Sequence, residues 1–331
     1  MSQKLLVTGG AGFIGNCFVR HILNNYPDYK VINLDVLTYA GNIENLDDVK
    51  NNPNYQFVHG NICDRKLVRD LVSQVDMVVN FAAESHVDRS ITGPEIFIET
   101  NVQGTLNLLQ ASKELSVERY LQVSTDEVYG SLGKTGYFYE TTPIQPNSPY
   151  SASKASADLL VRAYFETYKM PVLTTRCSNN YGPYQYPEKL IPFFISQLLK
   201  GEKVPVYGDG LNVRDWLYVY DHCAAIDTVL HKGKVGEVYN IGGHNEKTNM
   251  EITNIILEAM GKDESSIRYV EDRLGHDKRY AIDNQKIQSE LGWEPSVTFE
   301  EGIKLTLDWY LNNQEWMKQV AAKQLSSQSA K

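Results

Sequence analysis

Two short stretches of this 331-residue chain bring together groups that can move protons. Tyr150-Ser151-Ala152-Ser153-Lys154 sets a phenol and an ammonium four residues apart, so on a helix both lie on one face, about one turn from each other. A cation there favours phenolate over phenol, whose ordinary pKa is about 10, and makes tyrosinate accessible as a base. The same spacing recurs at Tyr26 and Lys30, but that pair straddles Pro27, whereas Pro149-Tyr150 opens a helix behind Ser148, a residue type that caps helices. Ser124-Thr125-Asp126-Glu127 sets a hydroxyl beside two consecutive carboxylates. Neighbours in a turn point in different directions, so Asp126 and Glu127 can act as separate acid and base if their surroundings split their pKa values. Acidic residues at a helix start also serve its dipole; the company of Tyr150 and Lys154 favours chemistry.

The elements that must hold these groups follow from the apolar pattern. Short β-rich runs at Lys4–Gly9, Lys30–Asp35, Tyr55–Gly60, Asp76–Ala83, Arg119–Thr125 and Pro171–Cys177 alternate with stretches long enough for helices. That rhythm predicts an α/β fold, a Rossmann-type doubly wound parallel sheet covered on both faces. Residues 95–115 and 150–168 carry apolar or small residues at helical spacing, among them Phe97, Asn101, Thr105 and Leu108, then Ala155, Leu159 and Ala163. After Cys177 the texture changes to Pro-, Gly- and Tyr-rich loops, which predicts a smaller α/β substrate-binding domain. The expected division is 1–175 for the first domain and 176–331 mainly for the second, with segments near 213–243 and 305–320 packing back on the first.

Between the first run and a helix expected from about Phe13 to Asn24 lies Gly9-Gly10-Ala11-Gly12-Phe13-Ile14-Gly15. Gly9, Gly12 and Gly15 give a sharp turn, close approach of backbone N–H groups to a pyrophosphate, and an anion site on the helix terminus; Phe13 and Ile14 share that stretch. Asp35 follows at the end of the second run, where a carboxylate accepts from ribose hydroxyls and repels a 2′-phosphate. NAD is therefore the expected cofactor, rather than NADP. Asn61 and Ile62, at the end of the third run, are candidates to meet the adenine, although Asn61 also reads as an ordinary turn residue. Small Ala82 and Ala83 permit close approach of the cofactor at the carboxyl edge of the sheet, and His86 follows them.

The formal charge of -9 leaves no basic surplus for a nucleic-acid backbone or an anionic bilayer, and neither is an expected partner. No apolar run approaches the ~20 residues that span a membrane. The opening MSQKLLVTGG enters a strand with no charged and apolar leader, which predicts a cytoplasmic protein. Cys17, Cys63, Cys177 and Cys223 form no C-x-x-C pair, so neither disulfides nor a metal site is expected.

Taken together, GGAGFIG, AAESHVDRS, STDEVYG and YSASK resemble the extended short-chain dehydrogenase/reductase family, in its branch of nucleotide-sugar 4,6-dehydratases; the likeness runs to about residue 310. The resemblance implies a hydro-lyase acting on dTDP-glucose with NAD in deoxysugar biosynthesis. Tyr150, assisted by Lys154 and Thr125, would take the proton from the glucose 4-hydroxyl, Glu127 the C5 proton, and Asp126 would protonate the departing C6 hydroxyl. It also implies that Asp35, Asn61, Ile62, Thr100 and Asn180 touch NAD. His86, Thr125, Asn179, Lys189, Leu190, Val206, Tyr207, Arg214, Asn249, Arg273 and His276 would hold the nucleotide sugar, and helices 95–115 and 150–168 would pair two chains as a homodimer. The chain departs from the family pattern at Asn61, often Asp, and at Leu274, usually Pro. A 4-epimerase shares the glycine loop, Tyr150 and Lys154 but does not need the Asp126–Glu127 pair. A dehydratase for a CDP- or UDP-sugar would differ in second-domain loops, and a non-catalytic NAD-binding protein would not need the four groups together.

Overall fold

In a computed structural model, which describes residues 2–272 and 276–329, the sheet expected from the first half is present and gains a seventh strand. Strands β1 (Lys4–Thr8), β2 (Lys30–Asp35), β3 (Tyr55–His59), β4 (Met77–Asn80), β5 (Arg119–Thr125) and β6 (Val172–Cys177) match the six apolar runs within a few residues. They precede β7 (Asn179–Tyr181), β8 (Val204–Tyr207), β9 (Val213–Tyr218), β10 (Val238–Ile241), β11 (Glu246–Thr248) and β12 (Ile267–Val270). The large sheet runs β3-β2-β1-β4-β5-β6-β10, with its neighbouring strands parallel. Its inner strands are buried on both faces, which is why they read as nearly unbroken apolar runs such as Leu5-Leu6-Val7, whereas the edge strand β3 stays partly exposed. Three polar residues inside it pair with one another: Thr8 donates to Asn80 at 2.6 Å, and the Asn80 amide donates to Gln122 at 2.9 Å.

Strand order reverses between β1 and β4, and the crevice at their carboxyl ends is where doubly wound sheets take ligands. The helix Phe13–Asn25 leaves β1 there. The helix Val219–Lys232 packs beside it in the same core, through Val19 and Ile22 on one and Cys223, Ile226 and Val229 on the other. A smaller lobe is built on the sheet β11-β9-β7, the pair β8–β12 and the helices Leu190–Leu199, Asn249–Ala259 and Phe299–Asn312. Its core is a separate cluster around Tyr181, Phe194, Trp216, Ile252 and Phe299, and Leu307 and Tyr310 belong to it. Trp316 reaches the first lobe, donating to Asn45 at 2.8 Å. A single residue, Ser178, separates β6 in one sheet from β7 in the other, so the two lobes join close to the reactive edge.

The stretch expected as one helix over 95–115 runs from Glu95 to Glu114 with a π-helical segment, Ile98–Gly104, inside it. The wider turn lets Asn101 face inward, where it accepts from Glu84 N–H at 2.8 Å and donates to the Glu84 carbonyl at 3.0 Å and to Ser153 at 2.8 Å. The second expected helix is Pro149–Tyr168, capped by Ser148 in a capping box with Ser151. Its stripe divides: Ala155 is buried, whereas Leu159 and Ala163 face outward. All four cysteines are free. Among the described residues no helix is long and apolar enough to cross a membrane.

Candidate active site

Two clefts meet at the switch point. The first, of about 340 Å³, is lined by all the residues expected at the cofactor: Gly9, Gly12, Phe13, Ile14, Gly15, Asp35, Asn61, Ile62, Ala82, Ala83, Thr100, Tyr150, Lys154 and Asn180. Thr125, Asp126 and Glu127 line it too. The second, of about 230 Å³, is lined by His86, Asn179, Lys189, Leu190, Val206, Tyr207, Arg214, Asn249 and His276. Glu127, Asn179 and Lys189 belong to both. Arg273 and the departure at Leu274 lie outside the described residues.

The glycine loop fits a dinucleotide by its geometry. Gly9 has φ of +72°, and a Cβ there would sit 2.7 Å from the Ala82 nitrogen; at Gly15 it would sit 2.2 Å from the Gly9 carbonyl. Only glycine lets the loop, β4 and the helix come this close. The helix has no acidic side chain in its first turn, which leaves its positive end for a pyrophosphate. Asp35 is buried and accepts from Ala11 N–H at 2.9 Å and Leu37 N–H at 2.8 Å, so it shapes the loop while each oxygen keeps lone-pair capacity for a ribose hydroxyl. Burial pushes its carboxyl up, and those two bonds oppose the shift. Further along, the buried Ser124 hydroxyl lines the cleft without a protein partner. The residues present therefore suit NAD.

Two expected contacts differ in detail. Asn61 accepts from Cys63 N–H at 2.8 Å through its side-chain oxygen, which makes it a turn former and leaves its amide N–H groups for a ligand. Asn180 spends its side chain on His222, at 2.8 Å, and on the Ser178 carbonyl, at 3.0 Å. Burial pushes His222 down to about 3, so this histidine is a neutral structural partner.

At the reactive end, Lys154 is buried and donates to the Val123 carbonyl at 2.7 Å; burial lowers its pKa and Asp158 opposes. The lowering expected for the Tyr150 phenol is not produced by the protein groups. Burial first, then Glu127, Cys177 and Asp126, hold it well above its usual value, with the Thr125 hydroxyl opposing. That expectation joins Lys154 to the positive nicotinamide ring of bound NAD. Asp126 is fully buried, and burial, Glu127 and Asp215 hold its carboxyl well above the usual range, against Arg214 and Thr125. Thr125 donates to its Oδ1 at 3.3 Å, whereas Oδ2 is buried without a partner. A carboxyl that holds its proton more tightly than usual, on a residue lining the cleft, can deliver that proton.

The second lobe supplies cations and one group the sequence did not reveal. Lys189 donates to the Ser85 carbonyl at 3.0 Å, and Arg214 to the Asp277 carbonyl at 2.9 Å while lying 4.4 Å from the Tyr280 ring centroid. His86 caps the helix Val87–Thr92, accepting from Arg89 N–H at 3.3 Å, and also lines the second cleft. Asp215, not among the candidates, is buried, helps by its charge to raise the Asp126 carboxyl, and accepts from Gly243 N–H at 2.9 Å and Asn245 N–H at 2.7 Å.

The family model described as GDP-mannose 4,6 dehydratase matches residues 6–306. A dTDP-glucose 4,6-dehydratase of Xanthomonas campestris pv. campestris (strain B100) is 57% identical over 335 residues, covering 95% of each chain. The dTDP-glucose 4,6-dehydratase DesIV of Streptomyces venezuelae, solved with NAD bound, superposes with a TM-score of 0.94 at 54% identity, covering 96% of this chain and 99% of that one. That of Bacillus anthracis str. Ames, in complex with NAD, gives 0.90 at 55%, covering 96% and 100%. With the glycine cradle, the Tyr150–Lys154 pair and the Asp126–Glu127 pair in one cleft, the chain belongs to the dTDP-glucose 4,6-dehydratase family of the extended short-chain dehydrogenases/reductases.

Proposed function

We propose that the chain catalyses the NAD-dependent dehydration of dTDP-glucose to dTDP-4-keto-6-deoxyglucose, by oxidation at C4, loss of water across C5 and C6, and hydride return to C6. The observation that carries this reading is Asp126, a buried carboxyl held above its usual range and with an unpartnered oxygen, next to Glu127, which lines both clefts. An epimerase has no use for such a pair.

Bound NAD supplies the hydride acceptor at the start of the cycle and the donor at its end. Tyr150, steadied by Thr125 and set against Lys154, takes the 4-hydroxyl proton. The resulting ketone acidifies the C5 proton, which Glu127 removes while Asp126 gives its proton to the departing C6 hydroxyl, and Glu127 returns that proton to C5 when hydride reaches C6. His86, Asn179, Lys189, Leu190, Val206, Tyr207, Arg214, Asn249, Arg273 and His276 hold the nucleotide sugar, with the cations on its diphosphate. The test is a panel of dTDP-, UDP- and CDP-glucose, read by the near-ultraviolet absorbance of a 4-keto sugar in alkali. Signal with dTDP-glucose above the others is expected; a C4 epimer as sole product overturns the reading.

The chain works as a homodimer through the helices 95–114 and 149–168. Support comes from Ile98 at 51% and Leu159 at 54% exposed, on neighbouring helices with no cover in the monomer. A light-scattering mass of one 37.5 kDa chain at working concentration overturns this. Free thiols throughout suit the cytoplasm.

A further inference from the structure

The loop after β2, residues 36–42, is fastened to the cofactor lobe at both ends and to the other side of the cleft at its tip. At one end Leu37, at φ 53°, donates to Asp35; at the other, Asn42 N–H donates to the Ala11 carbonyl at 3.0 Å. At the tip, the Tyr39 hydroxyl donates to Glu188 Oε1 at 3.1 Å, its ring meets Tyr186 edge-on with centroids 5.5 Å apart, and the Arg89 guanidinium lies 3.6 Å from its centroid. Thr38, Ala40 and Gly41, on either side of that tyrosine, line the cofactor cleft. Glu188 lines both clefts, its side chain 9% exposed, with Oε2 3.7 Å from His86 Nε2 and 4.0 Å from Arg89 Nη2. None of the proton transfers above uses Tyr39, Glu188 or Arg89.

We propose that Tyr39 and Glu188 form a clasp that closes the 36–42 strap over bound NAD and couples its retention to the sugar-side residues His86 and Lys189. The inference rests on the proposed function, in which one NAD must remain in place from the first hydride transfer to the second. For NAD to leave sideways the strap must lift. Lifting it breaks a hydrogen bond to a shielded carboxylate and parts a guanidinium from an aromatic face, both in surroundings where water replaces them poorly. Burial drives the Glu188 carboxyl up while Lys189, Arg89 and the Tyr39 hydroxyl draw it down, so the charge depends on partners from both sides of the cleft. Tyr39 and Glu188 are positioning residues.

The test uses holoenzyme carrying labelled NAD, chased with excess unlabelled NAD, with and without dTDP. Y39F keeps the ring and loses only the donor; it is expected to release label roughly tenfold faster, while kcat at saturating NAD stays within about twofold of the unaltered enzyme. If the two residues act through one bond, Y39F/E188A releases label no faster than E188A. Added dTDP is expected to slow release in the unaltered enzyme and to do so less in Y39F. Label release at the unaltered rate in Y39F, or strictly additive effects in the double variant, overturns the clasp. An unaltered enzyme that retains no NAD overturns the proposed function with it; one that retains NAD while Y39F behaves identically overturns the clasp alone.

Discussion

The Lys154 ammonium donates to the Val123 carbonyl at 2.7 Å, stitching the helix that carries Tyr150 to the end of β5 just ahead of Thr125, Asp126 and Glu127. Replacing it removes a charge and orphans a buried carbonyl at once. K154M is expected to lower kcat by about 100-fold or more and to destabilise the fold by about 1–3 kcal/mol. Turnover and thermal unfolding, measured on one preparation, check both.

D126N keeps the shape of the buried acid without its proton. It should form the oxidised sugar, seen as transient reduced-nicotinamide absorbance, but lose water about 10²–10⁴-fold more slowly. Its stability has a signed pH dependence. Because the folded carboxyl is held above its unfolded value near 3.9, the stability its proton contributes is complete below that value and is lost as pH rises through the folded one. Asparagine does not titrate. The Tm of D126N relative to the unaltered chain should therefore climb from mildly acid pH upward and level off once the aspartic acid has ionised; a gap independent of pH contradicts its raised pKa.

E127Q and Y150F separate the two proton removals. E127Q should block water loss more than C4 oxidation, whereas Y150F should block both. Full turnover by E127Q would remove Glu127 from the role of C5 base. Rapid mixing that follows nicotinamide reduction and keto-sugar formation together distinguishes them.

Arg176 and Asp158 form an ion pair at 2.9 Å with side chains 6% and 2% exposed, and Arg176 also donates to the Tyr129 hydroxyl at 2.9 Å. The pair ties β6 to the helix bearing Tyr150. D158A leaves a buried guanidinium uncompensated and should cost about 3–5 kcal/mol of stability, read from denaturant midpoints at constant m. Its effect on KM for dTDP-glucose should be small, since neither side chain reaches a cleft.

Much of this was legible in one dimension because local sequence determines it. The glycine loop, Asp35 and the six strands follow from turn chemistry and from β-rich apolar runs, most of them buried on both faces, and the Tyr150 helix from Pro149 and the Ser148 cap. What was not legible depends on distant chain segments meeting. Asp215 reads as one more carboxylate beside Arg214, and only its approach to Asp126 gives it a role. Glu188 reads as a loop charge until Tyr39 and His86 close around it. The expected lowering of the Tyr150 phenol joins Lys154 to a positive nicotinamide ring, and spacing along a helix says nothing of the burial and carboxylates that raise it in the protein alone. Asn101 lay in the expected helix, yet the π-helical turn that aims it at Glu84 has no signature in residue types.

The placing of β10 at the sheet edge beside β6 has a consequence for how the molecule is made. That strand and the helix Val219–Lys232 arrive only after β7, β8 and β9 have been synthesised. A ribosome releasing this chain must therefore hold the nucleotide half unfinished, with β6 unpaired along one side and the seat of that helix bare, until the other half is under way. Neither half is a separable cassette. Cutting after residue 175 should yield an aggregating fragment, and transplanting the sugar lobe onto another nucleotide fold would have to carry β10 and its helix along.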